Sequence, residues 1–363
     1  MSKGVISRGI SAPMIKEGDD LVKIVVDSVI NEVKETKIIP EPYYVDGIRT
    51  FKEKEKVTYN LNNKDVIGIT ESIIARATGQ YVTVDDIAAD IIKKYGEDAT
   101  IALIDPIYSR NRFSMILKGI ARAAKEIIIY MPSFDEVGNP SGVNPFTGVN
   151  IEEYYKEICK NENCECSVNV DFEDKVLPIL NCRLHTEHIE KPKDVPYYYL
   201  DEICDEVSPD WGLLGTNKST EERLKLFPSK EVSQDVCEKV KAQIKKITGK
   251  DVIVCVYGDG CFKDPVGGIW EFADPITMPG YTDKELIEST PNEIKLKAFI
   301  DEGTSEEEIK KLIQQKKDLV GSMTSQGTTP RLYRDLLVSL MDLTSGSGDR
   351  ATPIILIQNY FRD

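Results

Sequence analysis

The chain has 363 residues, room for one large domain or two ordinary ones, and its 41% hydrophobic and 29% charged residues suit a chain that buries a core, which excludes wholesale disorder. Its 46 Lys and Arg against 61 Asp and Glu give a net charge of −15. Such a field repels phosphate backbones and anionic lipid, so nucleic acid and a membrane surface are not expected as partners, whereas metal cations are favoured.

Residues 1–20 lack the apolar run of a signal peptide, and no stretch approaches the roughly 18 apolar residues of a membrane span, so a cytoplasmic protein is expected. Residues 19–33 read as an amphipathic helix, with Leu21, Ile24, Val25 and Ser28 on one face and Asp19 and Asp20 in an acidic first turn. A charged segment follows over 50–58. The apolar strand 65–70 then runs directly into a helix over 71–78 that Gly79 ends. The alternation repeats with helix 85–95, strand 100–104, helix 111–125, in which Phe113, Ile116, Leu117 and Ile120 are in register, and strand 126–131. This is α/β grammar and predicts mixed sheets with flanking helices.

Over 132–150 the density of Pro, Gly, Asn and Ser excludes regular structure for most of the length and marks a boundary. Residues 151–248 mix a short helix, strands at 166–170 and 176–180, the aromatic patch 197–199, and a long helix over 234–247 that Ser233 is placed to cap. Alternation resumes with a buried strand over 251–257, the loop Gly258-Asp259-Gly260, and a strand over 266–272. Helices over 305–319 and 332–343, a Gly/Ser loop and a strand over 353–358 complete the chain. The expected division is a core formed by 1–131 and 249–363, with an inserted lobe over 132–248.

Three loops at strand ends carry an aspartate each. In Thr344-Ser-Gly-Ser-Gly-Asp349 the glycines let backbone amides approach an anion, and Asp349 can hold a divalent metal that bridges phosphates; the same loop also suits a plain helix stop. Asp259 sits between two glycines after a strand, as a hard-metal ligand or as an Asx turn. Asp105 precedes Ser109, Arg110, Asn111 and Arg112, and offers a further carboxylate or a turn former. If they converge, the three describe a metal and phosphate site. Separately, Cys159, Cys164, Cys166, Cys182, His185 and His188 include both histidines, at spacings that differ from the paired spacings of structural zinc, so metal binding and ordinary buried thiols both stay open.

Residues 11–21, Ser-Ala-Pro-Met-Ile-Lys-Glu-Gly-Asp-Asp-Leu, resemble the amino-terminal Gly-Leu-Pro-Leu-Ile-Lys-Glu-Gly-Asp-Asp-Leu segment of coenzyme F(420) gamma-glutamyl ligases. Residues 65–79 resemble that family's strand and turn ending in Ser-Lys-Ala-Glu-Gly, 249–262 its Gly-Lys strand ending in an Asp-Thr-Asn-Gly-Arg loop, and 335–353 its carboxyl-terminal helix, acidic Gly loop and Pro-led strand, all in the family's order. The sequence departs from the pattern at Ala75-Arg76 in place of Ser-Lys, in the shortened loop at Gly258-Asp259-Gly260, at Ser347 in place of a Glu, and in the added lobe.

The resemblance implies a mixed α/β homodimer that joins L-glutamate through its amine to a small-molecule carboxylate acceptor, using GTP (or ATP) and Mg2+ or Mn2+. Carried over by position, it implies nucleotide contacts at Ala12, Pro13, Met14 and Ile15, at Glu71, Ser72 and Arg76, at Asn111, and at Ser345, Gly346, Ser347, Gly348 and Asp349, with metal at Asp105, Asp259 and Asp349. A ligase acting on a folate-like acceptor, and a non-catalytic metal- or nucleotide-binding module with a decayed site, are the alternatives.

Overall fold

The computed structural model describes residues 4–104, 110–132, 142–143, 148–171, 194–258, 262–263, 270–271, 278–288, 303–308, 311, 332–345 and 352–361. Strand β1 (Ile6–Ile10) leads to helix α1 (Leu21–Val33). The Asp20 carboxylate caps α1 by accepting from the Lys23 amide at 3.0 Å. Leu21, Val25, Val26, Val29 and Val33 form its buried stripe, so Ile24 and Ser28 lie at the margin of the face rather than at its centre.

The expected charged segment is half of a ribbon. Strands β2 (Lys34–Val45) and β3 (Ile48–Tyr59) pair antiparallel along their whole length, and Val45 opposite Ile48 leaves a two-residue turn, Asp46-Gly47. Both turn residues have positive φ, 49° and 80°, which matches the right-handed twist of the ribbon and is the reason for an Asp-Gly pair there.

After β4 (Val66–Thr70) and α2 (Glu71–Thr78), the chain turns at Gly79 in the left-handed region (φ 67°) and enters β5 (Tyr81–Thr83), α3 (Val84–Tyr95) and β6 (Ala99–Ile104). Thr83 and Asp86 cap α3 reciprocally. Next come α4 (Arg110–Ala123), β7 (Ala124–Pro132), α5 (Ile151–Asn161), β8 (Glu165–Asp171), β9 (Tyr197–Tyr198), β10 (Thr216–Lys218) and β11 (Arg223–Leu226).

Helix α6 (Lys230–Thr248) starts earlier than the sequence suggests. Its cap is Ser229, whose Oγ accepts from the Val232 amide at 3.2 Å, while Ser233 is buried in the first turn. Strand β12 (Ile253–Tyr257) and the short pair β13 (Phe262–Lys263) and β14 (Trp270–Glu271) follow. The expected strand over 266–272 is thus seen only at its Trp270–Glu271 end. Helix α7 (Tyr333–Ser345) and β15 (Ile354–Gln358) close the order. The expected strand 176–180 and most of the expected helix 305–319 lie outside the described residues.

Two sheets organise these elements, as the alternation predicted. The first has the order β1-β15-β4-β12, with β12 parallel to β4 and β15 antiparallel to both of its neighbours. All five residues of β12 and of β15 are buried, because helices cover both faces. Val25 and Val29 of α1 and Val240 and Ile244 of α6 pack on one side, and Leu337, Val338 and Met341 of α7 on the other. Each such side chain removed from water contributes about 1.5–3 kcal/mol.

The second sheet is wholly parallel, in the order β9-β6-β7-β8, with α3, α4 and α5 contributing Ile87, Ile91, Phe113, Ile116 and Tyr155 to its core. A smaller sheet, β10-β11-β5, joins the connection into this lobe to the connection out of it. The division expected at 131/132 runs through the second sheet, since β7 pairs with β8 beyond it, and α6 packs on the first sheet rather than in the inserted part. In space the second lobe spans β5 to β11 and is threaded between α2 and α6 of the first.

Candidate functional site

One edge of the first sheet gathers the segments of interest. Strand β1 ends there at Ile10, opposite Ile354 at the start of β15; Ile354 faces Ile69 near the end of β4; and Thr70, the last residue of β4, is beside Tyr257, the last of β12. The Thr70 amide donates to the Pro353 carbonyl at 3.0 Å. Residues 11–15, the start of α2, Gly258 and Thr352-Pro353 therefore share this edge. Ligands of sheets with parallel neighbours bind beyond the carboxyl ends of such strands.

Helix α2 springs from the edge without a linker. Its cap position is Thr70, which makes no side-chain capping bond, and the positive end of the helix dipole lies at this edge. Glu71 and Ser72 occupy the first turn. Glu71 is 2% exposed, and its Oε1 accepts from Asn217 Nδ2 of β10 at 2.8 Å. Ser72 Oγ accepts from Lys225 Nζ of β11, and Lys225 is itself buried.

At the end of β12, Tyr257 is 2% exposed and its hydroxyl faces Ser345 of α7. Burial pushes its ionisation well above the ordinary range, against the opposing effect of Ser345.

The sequence-predicted nucleotide residues fall into distinct settings. Ile15 is buried in the core of the first sheet with Ala12 packed against it, so these two anchor the segment, while Pro13 and Met14 (81% exposed) present themselves outward. Glu71, Ser72 and Ser345 come together at the edge. Ser345 donates to the Asp342 carbonyl at 2.8 Å, and its own carbonyl accepts from Thr352 Oγ1 at 3.0 Å, which ties the two ends of the 346–351 segment. Arg76 lies one turn further along α2 and is exposed. Asn111 is in α4, on the second sheet. Gly346, Ser347, Gly348 and Asp349, together with the other two metal candidates, Asp105 and Asp259, lie outside the described residues.

The sequence reading gives no site role to Lys225, Asn217 or Tyr257. The pattern Arg223-Leu-Lys-Leu226 looks like a strand with its lysine turned to solvent, and only the docking of β10 and β11 on α2 reverses that.

Of the thiol cluster, Cys159, Cys164 and Cys166 do converge between α5 and β8. The Cys164 amide donates to the Cys159 carbonyl at 2.9 Å, and the Cys164 and Cys166 thiols donate to the Glu165 and Ser167 carbonyls. The neighbouring Cys164 and Cys166 thiols and burial raise the ionisation of Cys159, while Cys159, opposed by burial and helped by Lys156, lowers that of Cys166. Cys182, His185 and His188 lie outside the described residues. Among the described residues no group of three or more His, Cys, Asp or Glu side chains is arranged to hold a metal.

No helix among the described residues is long and apolar enough to cross a membrane. The family model described as F420-0:Gamma-glutamyl ligase matches residues 9–359. No curated protein matches the chain.

Proposed function

The chain belongs to the F420-0:gamma-glutamyl ligase family, and from this premise we propose that it is a nucleotide- and divalent-metal-dependent ligase that joins the amine of L-glutamate to a carboxylate on a deazaflavin-type acceptor. The observation that supports this reading best is the shared edge of the first sheet. Four segments distant in sequence, at residues 11–15, 70–72, 257–258 and 352–353, are neighbours there through the pairings Ile10–Ile354, Ile354–Ile69 and Thr70–Tyr257.

The chemistry needs such a place. A carboxylate is a poor electrophile, so amide formation in water requires one of its oxygens to become a leaving group. The acceptor carboxylate attacks the terminal phosphorus of GTP or ATP and releases the nucleoside diphosphate. The glutamate amine then attacks the acyl carbon, inorganic phosphate departs, and the amine proton passes to water or a base.

The start of α2, with Ser72 and Lys225 beside it, is the proposed contact for a phosphate group. Asp105, Asp259 and Asp349 are the proposed holders of Mg2+ or Mn2+, which when bound offsets charge on the phosphates. Pro13 and Met14 are proposed to lie along the nucleotide, and a homodimer is the proposed assembly.

The experiment is incubation of the purified chain with GTP or ATP, Mg2+ or Mn2+, L-glutamate and a deazaflavin carboxylate acceptor, followed by phosphate assay and mass spectrometry of the acceptor. Phosphate release that depends on all components, with a glutamate added to the acceptor, supports the reading. Release with a folate-like acceptor alone moves the assignment to the folate alternative. No metal-dependent nucleotide binding by any measure sinks it.

A further inference from the structure

We propose that Cys166 and Cys159 form a thiol–disulfide exchange site in the second lobe: Cys166 is the entry thiol for a small disulfide, and Cys159 resolves the adduct as an internal Cys159–Cys166 bond. This chemistry is independent of the ligase reading and of the first sheet.

Helix α5 ends in a closed turn. The Cys164 amide donates to the Cys159 carbonyl at 2.9 Å and the Asn163 amide to the Lys160 carbonyl at 3.1 Å, with Asn163 in the left-handed region at φ 61°. Such an ending lays the side chains of its two outer positions, here Cys159 and Cys164, against each other. Cys166 arrives from the strand. It stands opposite Ile127 of β7 in the parallel register, and Ile127 belongs to the core beneath the helices, so the Cys166 side chain leaves the sheet toward α5. Three thiols thus meet at one helix–strand seam, with Cys159 neighbouring both of the others.

Access separates their roles. Cys159 and Cys164 are buried, and the Cys164 thiol donates to the Glu165 carbonyl at 3.3 Å, whereas Cys166 is partly exposed. The Lys156 ammonium, one turn before Cys159 on α5, favours the Cys166 thiolate, the form that attacks a disulfide. The Cys166 thiolate attacks one sulfur of the small disulfide, whose S–S bond breaks to release one thiolate. Cys159 then gives up its proton and attacks the Cys166 sulfur, releasing the second thiolate. The protein loses two electrons and two protons, and the small disulfide gains them as two thiols. Among the described residues no group of three or more His, Cys, Asp or Glu side chains is arranged to hold a metal, so these thiols are placed for one another rather than for a cation.

The test incubates the reduced full-length chain with 2-hydroxyethyl disulfide, an uncharged probe that the net charge of −15 does not repel. Samples quenched in acid over time go to intact mass measurement and to peptide mapping without reduction. The expected result is a chain lighter than the reduced one by two hydrogens, with Cys159 bonded to Cys166, and dithiothreitol restores the starting mass. Cys159→Ser should hold the adduct on Cys166, lengthening its lifetime about tenfold or more, and Cys166→Ser should slow disulfide formation by a similar factor. The wild-type map stands without either variant should one melt early. A lasting adduct in the wild type, no reaction at Cys166, or a bond joining any other pair of cysteines overturns the assignment.

Discussion

Gly68 of β4 lies directly under Met341 of α7: a Cβ on Gly68 would stand 2.9 Å from Met341 Cε and closer still to its sulfur, and 3.1 Å from the Tyr257 ring. Met341 is fully buried, so its thioether must repack within the core to make room. The close approach of helix to strand therefore depends on the missing side chain.

Gly68→Ala is expected to cost about 1–3 kcal/mol, as overpacking of a dense core does. Thermal melting measures it. The double variant Gly68→Ala, Met341→Ala should lose less than the sum of the single changes, because the smaller side chain vacates the space the new methyl needs. Strict additivity would remove the claimed contact.

At the tip of the ribbon, Gly47→Ala places a Cβ on a residue with φ of 80°. The expected loss is about 1 kcal/mol, confined to the ribbon, because Gly47 has no neighbour within 4 Å beyond its adjoining residues. Hydrogen exchange should quicken across β2 and β3 and stay unchanged in β12 and β15. Uniform quickening would show the ribbon to be coupled to the core.

The Lys94 ammonium ties α3 to the segment at 205, pairing with Asp90 at 3.0 Å and with Asp205. The bond from Lys94 holds the Asp205 carboxyl below its ordinary range, and burial opposes it. Burial lowers the ionisation of Lys94, yet Asp205 and Asp90 outweigh it and the net shift is upward. A depressed carboxyl stabilises above its unfolded value, near 4, and loses that contribution as pH falls; a raised lysine stabilises below its unfolded value, near 10.5, and loses it as pH rises. The pair's contribution is thus full between those limits. Urea midpoints between pH 3 and 7 should fall less steeply toward acid in Asp205→Asn than in the wild type, and parallel curves would refute the linkage.

Among the described cysteines, Cys166 is expected to react first with iodoacetamide near neutral pH, since it is partly exposed and its thiolate is favoured by Cys159 and Lys156. Cys255 is buried and its ionisation is pushed up to about 12 by burial, so it should react last. Peptide mass mapping over time checks the order, and Cys159→Ala should slow Cys166. An unchanged rate would show that Cys159 does not set its reactivity.

The sequence makes plain whatever depends on neighbours along the chain. The apolar period of α1, the direct passage of β4 into α2 and the strand over 253–257 are local patterns with local causes. Asp46-Gly47 is a local mark of the ribbon's turn, but β3 alternates charge over 52–56 instead of hydrophobicity and so reads as a solvated segment. The thread of the second lobe between α2 and α6 is not local. It follows from which strands pair, and a drop in regular composition after Met131 says nothing about β7 joining β8 across it.

The same limit applies to the site. Glu71, Ser72 and the 11–15 segment are expected by resemblance, whereas Lys225 reaches Ser72 only because a sheet from elsewhere in the chain turns it inward. A lysine between two leucines carries no local mark of that.

The ribbon formed by β2 and β3 also bears on how copies of this chain avoid one another. On β2, Pro40 and Pro42 fall at the same phase of the ladder and lack the amide that an incoming strand would require. On β3 the run Lys52-Glu-Lys-Glu-Lys56 acts differently. Two copies adding edge to edge about a two-fold axis must oppose residues of equal parity, so every register sets lysine against lysine and glutamate against glutamate. One edge is closed by missing donors and the other by self-repulsion, which leaves a long, exposed ribbon unable to seed a continuous intermolecular sheet of its own kind.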